Sequence, residues 1–420
     1  MRSRPNGGRG GLRPGGPGSG RATRRSSVSC ARARRGGRGL DRAERRGHGR
    51  PDPKRLRPET ASHGIAFSFA GRPMTRRYLF LCPDSRKASG GIAVIYDTVE
   101  TLNRAGYQAA VLHNSPNASY PGRQTPVPAL YTQSYRRAVL PYIERRKQLR
   151  ERLDLPLERL RGGRLAALDL RPDDVIVLPE YMMREGLDAW RENPIGIFVQ
   201  NPFSFMTAYM HARAAGHDPQ ARVSWYIGVS EVCMDQFELL GIGGAHALPV
   251  SMNPETFPFR AEKERLITYM PRKRPEEARQ IVEALGLRGR IGDYRLQALD
   301  GMKPDEISGW MQRSRFFISL QKRESIGFPA AEAMAAGCIV VGYTGLGARE
   351  YFTPETGFPV TEDDTAGLVR ALEGAVAEYE TDPARLDAMR RHASAEINRR
   401  YSKAAAEEAL LKIWGELDAS

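Results

Sequence analysis

From residue 78 onward the chain alternates short apolar runs with amphipathic helical stretches, and it does so twice. In the first series, "YLFLCP" (78–83), "YQAAVLH" (107–113), "DVIVLPE" (174–180), "IGIFVQN" (195–201) and "SWYIGVS" (224–230) read as strands. Between and after them, "SGGIAVIYDTVETLNRAG" reads as a Gly-Gly loop and a helix ending at Gly106, and "EVCMDQFELLG" as a further helix. Strands that are apolar along their whole length, rather than at alternate positions, belong to parallel sheets covered by helices on both faces. The pattern breaks at "LPVSMNPETFPF" (248–259), with three prolines in twelve residues, which marks a linker. It resumes with strands "RLITYM" (265–270), "YRLQAL" (294–299), "RFFISL" (315–320) and "CIVVGY" (338–343), again separated by helical stretches. The chain is therefore expected to form two α/β domains, 74–250 and 263–400, joined by 251–262. A last helix, 401–420, is expected to pack back toward the first domain.

Charge is concentrated outside this pattern. The whole chain has 64 Lys and Arg against 49 Asp and Glu, a formal +15. Residues 1–73 alone hold 19 basic and 4 acidic residues, so the remainder balances at 45 of each. The high pI thus carries no information about the partners of the folded part, and no specific nucleic-acid binding is expected of it. The first 73 residues are rich in Gly, Arg and Pro and too poor in apolar residues to offset chain entropy, which predicts disorder. Three readings of them stand: a start assigned upstream of a true start at Met74, a disordered tail, and an Arg/Gly-rich RNA-binding arm. The segment lacks an apolar core of signal-peptide length, and no run approaches the 18 or so residues of a membrane span. Four scattered cysteines without CxxC spacing argue against a zinc site or a disulfide framework. A cytoplasmic protein is expected. Residues 133–164 carry ten basic against four acidic side chains on a helical pattern. They read either as a solvated helix face or as a peripheral contact for membrane headgroups or an anionic acceptor.

The stretch "ESIGFPAAEAMAAGCIVVG" (324–342) concentrates the chemistry. Pro329 suits the start of a helix and Gly337 its end. The free N–H groups near Gly327 and Phe328 would offer an anion a seat at the carboxyl edge of the sheet, where ligands of open α/β folds bind. Glu324 and Glu332 flank that seat. Two carboxylates beside a phosphate would repel it, so they make sense as acceptors for hydroxyl groups on either side of it. A nucleotide diphosphate sugar has that shape. For Glu332 taken alone, an acid stabilising a helix start is an equal explanation.

The same stretch, with its flanking strands, resembles the E-x7-E signature of glycosyltransferase family 4 and its relatives. The close match covers about 294–360, and the looser architecture 78–420. The resemblance implies the GT-B fold, two Rossmann-like domains with parallel sheets facing across a cleft. It implies transfer of a sugar from a nucleotide-diphosphate sugar to a hydroxyl of a glycan, lipid-linked or other acceptor, with retention and without a metal or other cofactor. At matching positions, Glu324 would contact the donor sugar near the reacting centre and Glu332 the ribose hydroxyls. Ser325, Gly327 and Phe328 would lie at the donor, the latter two holding the distal phosphate through their amides. A basic pair drawn from Arg272, Lys273 and Arg274 would neutralise the diphosphate. Gly90 and Gly91 match the loop that approaches the donor from the first domain, and "YTGLGARE" (343–350) matches the Gly-rich loop of the second.

One position departs from the family pattern. Many relatives carry a histidine after the strand that here reads "IFVQNPFSF", where this chain has Gln200 and Asn201. Neither is a useful general base. His113 and Glu180, at other predicted strand ends, are candidate substitutes on the acceptor side, each with a bland alternative as a capped strand end or a surface carboxylate. A fold-sharing sugar-nucleotide epimerase and a noncatalytic nucleotide-sugar binder are the competing functions.

Overall fold

The computed structural model describes residues 76–84, 90–118, 120, 127–138, 165–252 and 254–419. The apolar runs form two wholly parallel sheets. The first contains Arg77–Leu81 (β1), Gln108–His113 (β2), Ala129–Tyr131 (β3), Ala166–Ala167 (β4), Val175–Pro179 (β5), Ile195–Val199 (β6), Trp225–Gly228 (β7) and His246–Ala247 (β8). Its order is β4-β3-β2-β1-β5-β6-β7-β8. The second contains Glu264–Tyr269 (β9), Arg295–Ala298 (β10), Ser314–Leu320 (β11), Ile339–Tyr343 (β12) and Gly357–Val360 (β13), in the order β10-β9-β11-β12-β13. Every strand pair is parallel.

These orders fix where ligands can enter. The chain winds one way from β1 to β4 and the other way from β5 to β8, so the first sheet reverses between β1 and β5. The second reverses between β9 and β11. At such a reversal the connections leaving neighbouring strand ends part to opposite faces and leave a crevice. Four connections therefore flank the two crevices: those after β1, β5, β9 and β11.

The core follows from the unbroken apolar strands. β1, β5 and β6 are buried at every residue. The C-terminal helix Lys403–Ala419 presents Leu410, Ile413, Trp414 and Leu417 at helical spacing and buries all four. Trp414 stacks on Phe80 of β1 with ring centroids 5.8 Å apart and meets Tyr78 and Trp225 edge-on. The Tyr78 hydroxyl donates to Asp418 at 3.2 Å. The terminal helix thus returns to the first sheet. In the second sheet, Ile267, Phe316, Ile318, Ile339 and Val341 pack with Ile281, Leu285, Leu368 and Leu372. The opposite side receives the Phe328–Ala335 helix, whose small buried alanines let it lie close to the helix Ala384–Arg400. Ser394 donates to the Ala335 carbonyl there at 2.8 Å.

Two expectations change. The Gly90–Gly91 pair is not a loop but the first turn of the helix Gly90–Arg104. The short strands β3, β4, β8 and β13, at or next to the sheet edges, have two to four residues each and are not among those expected from the sequence. Among the described residues no helix is long and apolar enough to cross a membrane. The basic segment 133–164 lies outside the described residues from 139 on, as does the 1–73 segment. Replacing Trp414 by Ala removes the ring on which the helix docks and is expected to destabilise the protein by about 3–5 kcal/mol in urea unfolding.

Candidate functional site at the two crevices

A cleft of about 1120 Å³ opens where the carboxyl ends of the two sheets meet. It is lined from the first sheet by Gly90, Gly91, Glu180, Tyr181, Gln200 and Asn201. From the second it is lined by Arg272, Lys273, Asp300, Glu324, Ser325 and the Gly327–Pro329 turn. All four crevice-flanking connections contribute.

The turn after β11 is built around Gly327. Its φ of +82° belongs to the left-handed region, and a Cβ there would lie 1.7 Å from Gln321 Oε1. Gln321 Nε2 and the Tyr351 hydroxyl both donate to the Gly327 carbonyl, at 3.0 and 2.6 Å. The helix begins at Phe328, with Pro329 second, so its first free N–H groups face the cleft. Glu324 is held by its backbone, whose amide donates to the Gly345 carbonyl at 2.9 Å and which bridges to Leu346. Gly347 lies directly under Ser325, where a Cβ would come within 2.4 Å of backbone. The Gly-rich loop 343–350 therefore supports the Glu324 loop from beneath, and its glycines do not line the cleft.

The basic trio separates. Lys273 Nζ lies 3.0 Å from Glu324 Oε1, with 44 % and 25 % of the two side chains exposed. Arg272 is exposed and lines the cleft beside it. Arg274 corrects the grouping by sequence: it is buried and turned away from the cleft. Its guanidinium donates to Glu277 at 2.8 Å, Glu362 at 2.6 Å, Asp363 and the Gln321 carbonyl, and lies over the Tyr343 ring at 4.6 Å. A guanidinium with its donors spent on three acids has none left for a diphosphate. Sequence proximity could not separate it from its neighbours, because the short helical turn Pro271–Lys273 changes the direction of the side chains.

Glu332 also departs from expectation. It is half-buried, one turn behind Phe328 on the same helix face, and is not among the residues that line the cleft. Phe328 does line it, with its ring about 3.4 Å from where a Gly90 side chain would begin. Among the described residues the Glu332 side chain has no hydrogen-bonding or ionic partner, and burial lifts its carboxyl to about 7. Ser325 hydrogen-bonds across the cleft to Ser230, 2.9 Å away, at the start of the helix Glu231–Leu239.

On the first-sheet wall, His113 is corrected as well. It is buried between the Tyr96 hydroxyl (2.9 Å) and Asp84 (2.9 Å) and does not reach the cleft. Asn201 spends its side-chain oxygen capping the next helix, accepting from Phe203 and Ser204 amides. Gln200 lines the cleft with its amide donating to the Gly91 carbonyl at 3.1 Å. Glu180 is buried at the cleft wall rather than on the surface. Contacts that sequence reasoning missed join the two walls: Arg323 over the Phe203 ring at 4.6 Å, Arg349 with Asp235, and the Glu231 amide donating to Glu350 at 2.9 Å. No local pattern marks such pairs, since each partner lies about a hundred residues from the other. Glu350 occupies the place where a dinucleotide-binding fingerprint would have its third glycine.

Residues 272–412 match the family described as "Glycosyl transferase-like". A stretch of 47 residues is 40% identical to an alpha-1,6-glucosyltransferase of Actinobacillus pleuropneumoniae serotype 7, covering 11% of this chain and 14% of that relative. Among solved structures, HepE of Anabaena in complex with UDP and glucose is 15% identical over 81% of this chain and 99% of its own, with a TM-score of 0.55. TarM of S. aureus, as a variant solved with fondaparinux, alpha-GlcNAc-glycerol and UDP, is 10% identical over 82% and 100%, also at 0.55. Sucrose-phosphate synthase of Thermosynechococcus elongatus is 14% identical over 82% and 99%, at 0.53. The fold is that of the two-domain GT-B glycosyltransferases.

Two outcomes follow from this geometry. Arg274→Ala is expected to lower stability by about 3 kcal/mol, because it leaves three acids facing one another, whereas Arg272→Ala leaves the unfolding midpoint unchanged. The lifted Glu332 carboxyl binds its proton more tightly folded than unfolded, so stability falls as pH rises from about 4.5 to about 7. Glu332→Gln removes that slope: it stabilises by about 3 kcal/mol at pH 8 and not at all below pH 4, read from paired urea curves.

Proposed function

We propose that this protein transfers a sugar from a nucleotide-diphosphate sugar to a hydroxyl group of a glycan, a lipid-linked sugar or a similar acceptor, in polysaccharide or glycoconjugate synthesis. The observation that carries the reading is the second-sheet wall. There Arg272, Lys273 and the amino end of the Phe328–Ala335 helix converge on the space beside Glu324. Breaking the bond between sugar C1 and the diphosphate leaves negative charge on the departing oxygens and positive charge on the ring. Two side-chain cations and oriented N–H groups stabilise that leaving group in place and without a metal. Lys273 exchanges Glu324 for the diphosphate as the donor enters. Glu324 then accepts hydroxyls of the donor sugar. Attack from the face that the diphosphate leaves retains the anomeric configuration. The facing wall keeps water from the reacting carbon.

The glucosyltransferase match and the neighbours solved with UDP make UDP-glucose the first donor to test. A nucleoside diphosphate at 100 times its Kd is expected to stabilise the protein by about 2.7 kcal/mol. Glu324→Ala is expected to abolish release of UDP from UDP-glucose while the unfolding curve is retained, and EDTA is expected to leave wild-type turnover intact. Undiminished turnover by Glu324→Ala removes that residue from the reaction; loss in EDTA restored by Mg²⁺ or Mn²⁺ refutes the metal-free step.

A further inference from the structure

The nest around Arg274 holds more acid than its charge requires. One buried guanidinium faces three carboxylates, those of Glu277, Glu362 and Asp363. Two of them already overcompensate the cation, and a third adds repulsion. What sets Glu362 apart is its second oxygen. Its Oε2 accepts from Arg274 at 2.6 Å, and its Oε1 accepts the backbone amide of Gly345, also at 2.6 Å. The Gly345 carbonyl in turn accepts the Glu324 amide at 2.9 Å. Glu277 binds the hydroxyls of Tyr343 and Thr365 instead, and the Asp363 side chain is largely exposed. We propose that Glu362 is a positioning residue for sugar transfer, setting the place of Glu324 through Gly345, an assignment that rests on the glycosyltransferase reading.

The topology makes this link a tie across the carboxyl edge of the second sheet. Arg274 follows β9 and Glu362 follows β13, with β11 and β12 between them. On the way, Arg274 Nε donates to the carbonyl of Gln321, at the end of β11, at 3.1 Å. Gln321 is also the residue on which Gly345 packs: a Cβ at Gly345, whose φ is +59°, would lie 2.7 Å from the Gln321 Cβ. The segment that carries Glu324 is thus held twice. Arg274 fixes it directly at Gln321, and Gly345, whose amide ends on Glu362, fixes it at Glu324 itself. The Glu324 carboxylate is partly exposed and pairs with a lysine that is also partly exposed. Its height above the sheet is therefore set by the backbone rather than by its side-chain partner. Glu362 is not among the residues that line the cleft, so it acts only through this chain of bonds. Misplacing a reacting group by about 1 Å can cost on the order of 100-fold in rate, which gives such a tie its leverage.

The test follows UDP release from UDP-glucose by the full chain with water as acceptor, beside UDP binding by thermal shift and urea unfolding. Glu362→Ala removes both contacts. Glu362→Gln loses the ion pair with Arg274, while its carbonyl oxygen still accepts from Gly345. Both are expected to lower the urea midpoint alike and to keep the UDP-induced shift. In Glu362→Ala alone, kcat is expected to fall about 10-fold or more. Asp363→Gly removes another partner of Arg274 at a φ of +64°, which glycine adopts freely, and is expected to keep the wild-type kcat. Wild-type kcat in Glu362→Ala overturns the assignment. So does a loss in Glu362→Gln or Asp363→Gly as deep as that in Glu362→Ala, since a purely structural nest predicts no split between them. If Glu362→Ala does not fold, Glu362→Asp keeps a carboxylate beside Arg274 but is one methylene too short to reach Gly345 as well, and undiminished kcat there overturns the assignment instead. A wild-type chain that releases no nucleoside diphosphate from UDP-, GDP- or ADP-glucose sinks the sugar-transfer reading before any variant is made, and the role of Glu362 with it.

Discussion

The site depends on one backbone constraint, the left-handed turn at Gly327 packed against Gln321. Because any side chain at 327 would collide with the Gln321 amide, and that amide is itself bonded to the Gly327 carbonyl, the turn and the strand end below it form one rigid unit. Tyr351 ties the same carbonyl to the Gly-rich loop. From this follow the starting point of the helix, the direction of its free N–H groups and the height at which Glu324 stands above the sheet. The Gly-rich loop then clasps the Glu324 backbone from beneath, with Gly347 allowing the approach. The Glu324 backbone and the helix end are thus positioned by packing, whereas Arg272 and Lys273 are exposed and the lysine is paired with Glu324.

The two walls are joined by interactions of two different strengths. Far from the cleft, Trp414 and its neighbours anchor the terminal helix to the first sheet through buried apolar surface, the kind of contact that is lost only with the fold. At the cleft, the connections are single and polar: Ser230 with Ser325, the Glu231 amide with Glu350, Arg349 with Asp235, Arg323 on Phe203. Each of these contributes about 1 kcal/mol or less once solvent competes for it. A structure held firmly at the back and loosely at the mouth can open there at small cost, as the proposed donor entry and product release require.

What the sequence made legible was what local chemistry determines. Nine of the strands announce themselves as predominantly apolar runs, and the G-F-P turn places the helix end to within a residue. The Glu324 loop could be located because strand, turn and helix signals converge on it. The limits lie where a side chain's direction depends on tertiary packing. Arg274 reads like Lys273 until the turn after β9 sends it into a nest of acids. His113 reads like a site residue until Tyr96 and Asp84 close over it. Glu180 reads like a surface carboxylate because nothing local says that the amide of Gln200 and the hydroxyl of Ser204, twenty residues on, will fold over it.

The pairing of Lys273 with Glu324 poses the remaining physical question, since the site proposed to receive an anion presents this cation already paired. At 3.0 Å and half open to water, that pair attracts with an energy of about 5 kcal/mol at an effective dielectric near 20. Desolvation and side-chain entropy offset most of it, leaving a net of about 1 kcal/mol. On the proposed reading, a diphosphate carries more charge than one carboxylate and would bind alongside helix N–H groups that Glu324 does not engage, so it would outcompete the acid for the lysine. The exchange then couples two events on the proposed reaction path. The cation reaches the leaving group at the moment the carboxylate becomes free to accept hydroxyls of the sugar. In the empty cleft the same ion pair offsets the repulsion that an isolated Glu324 would exert on an incoming anion. The acid can therefore stand beside a phosphate seat without blocking it, and this is how two opposite demands on one short loop are reconciled.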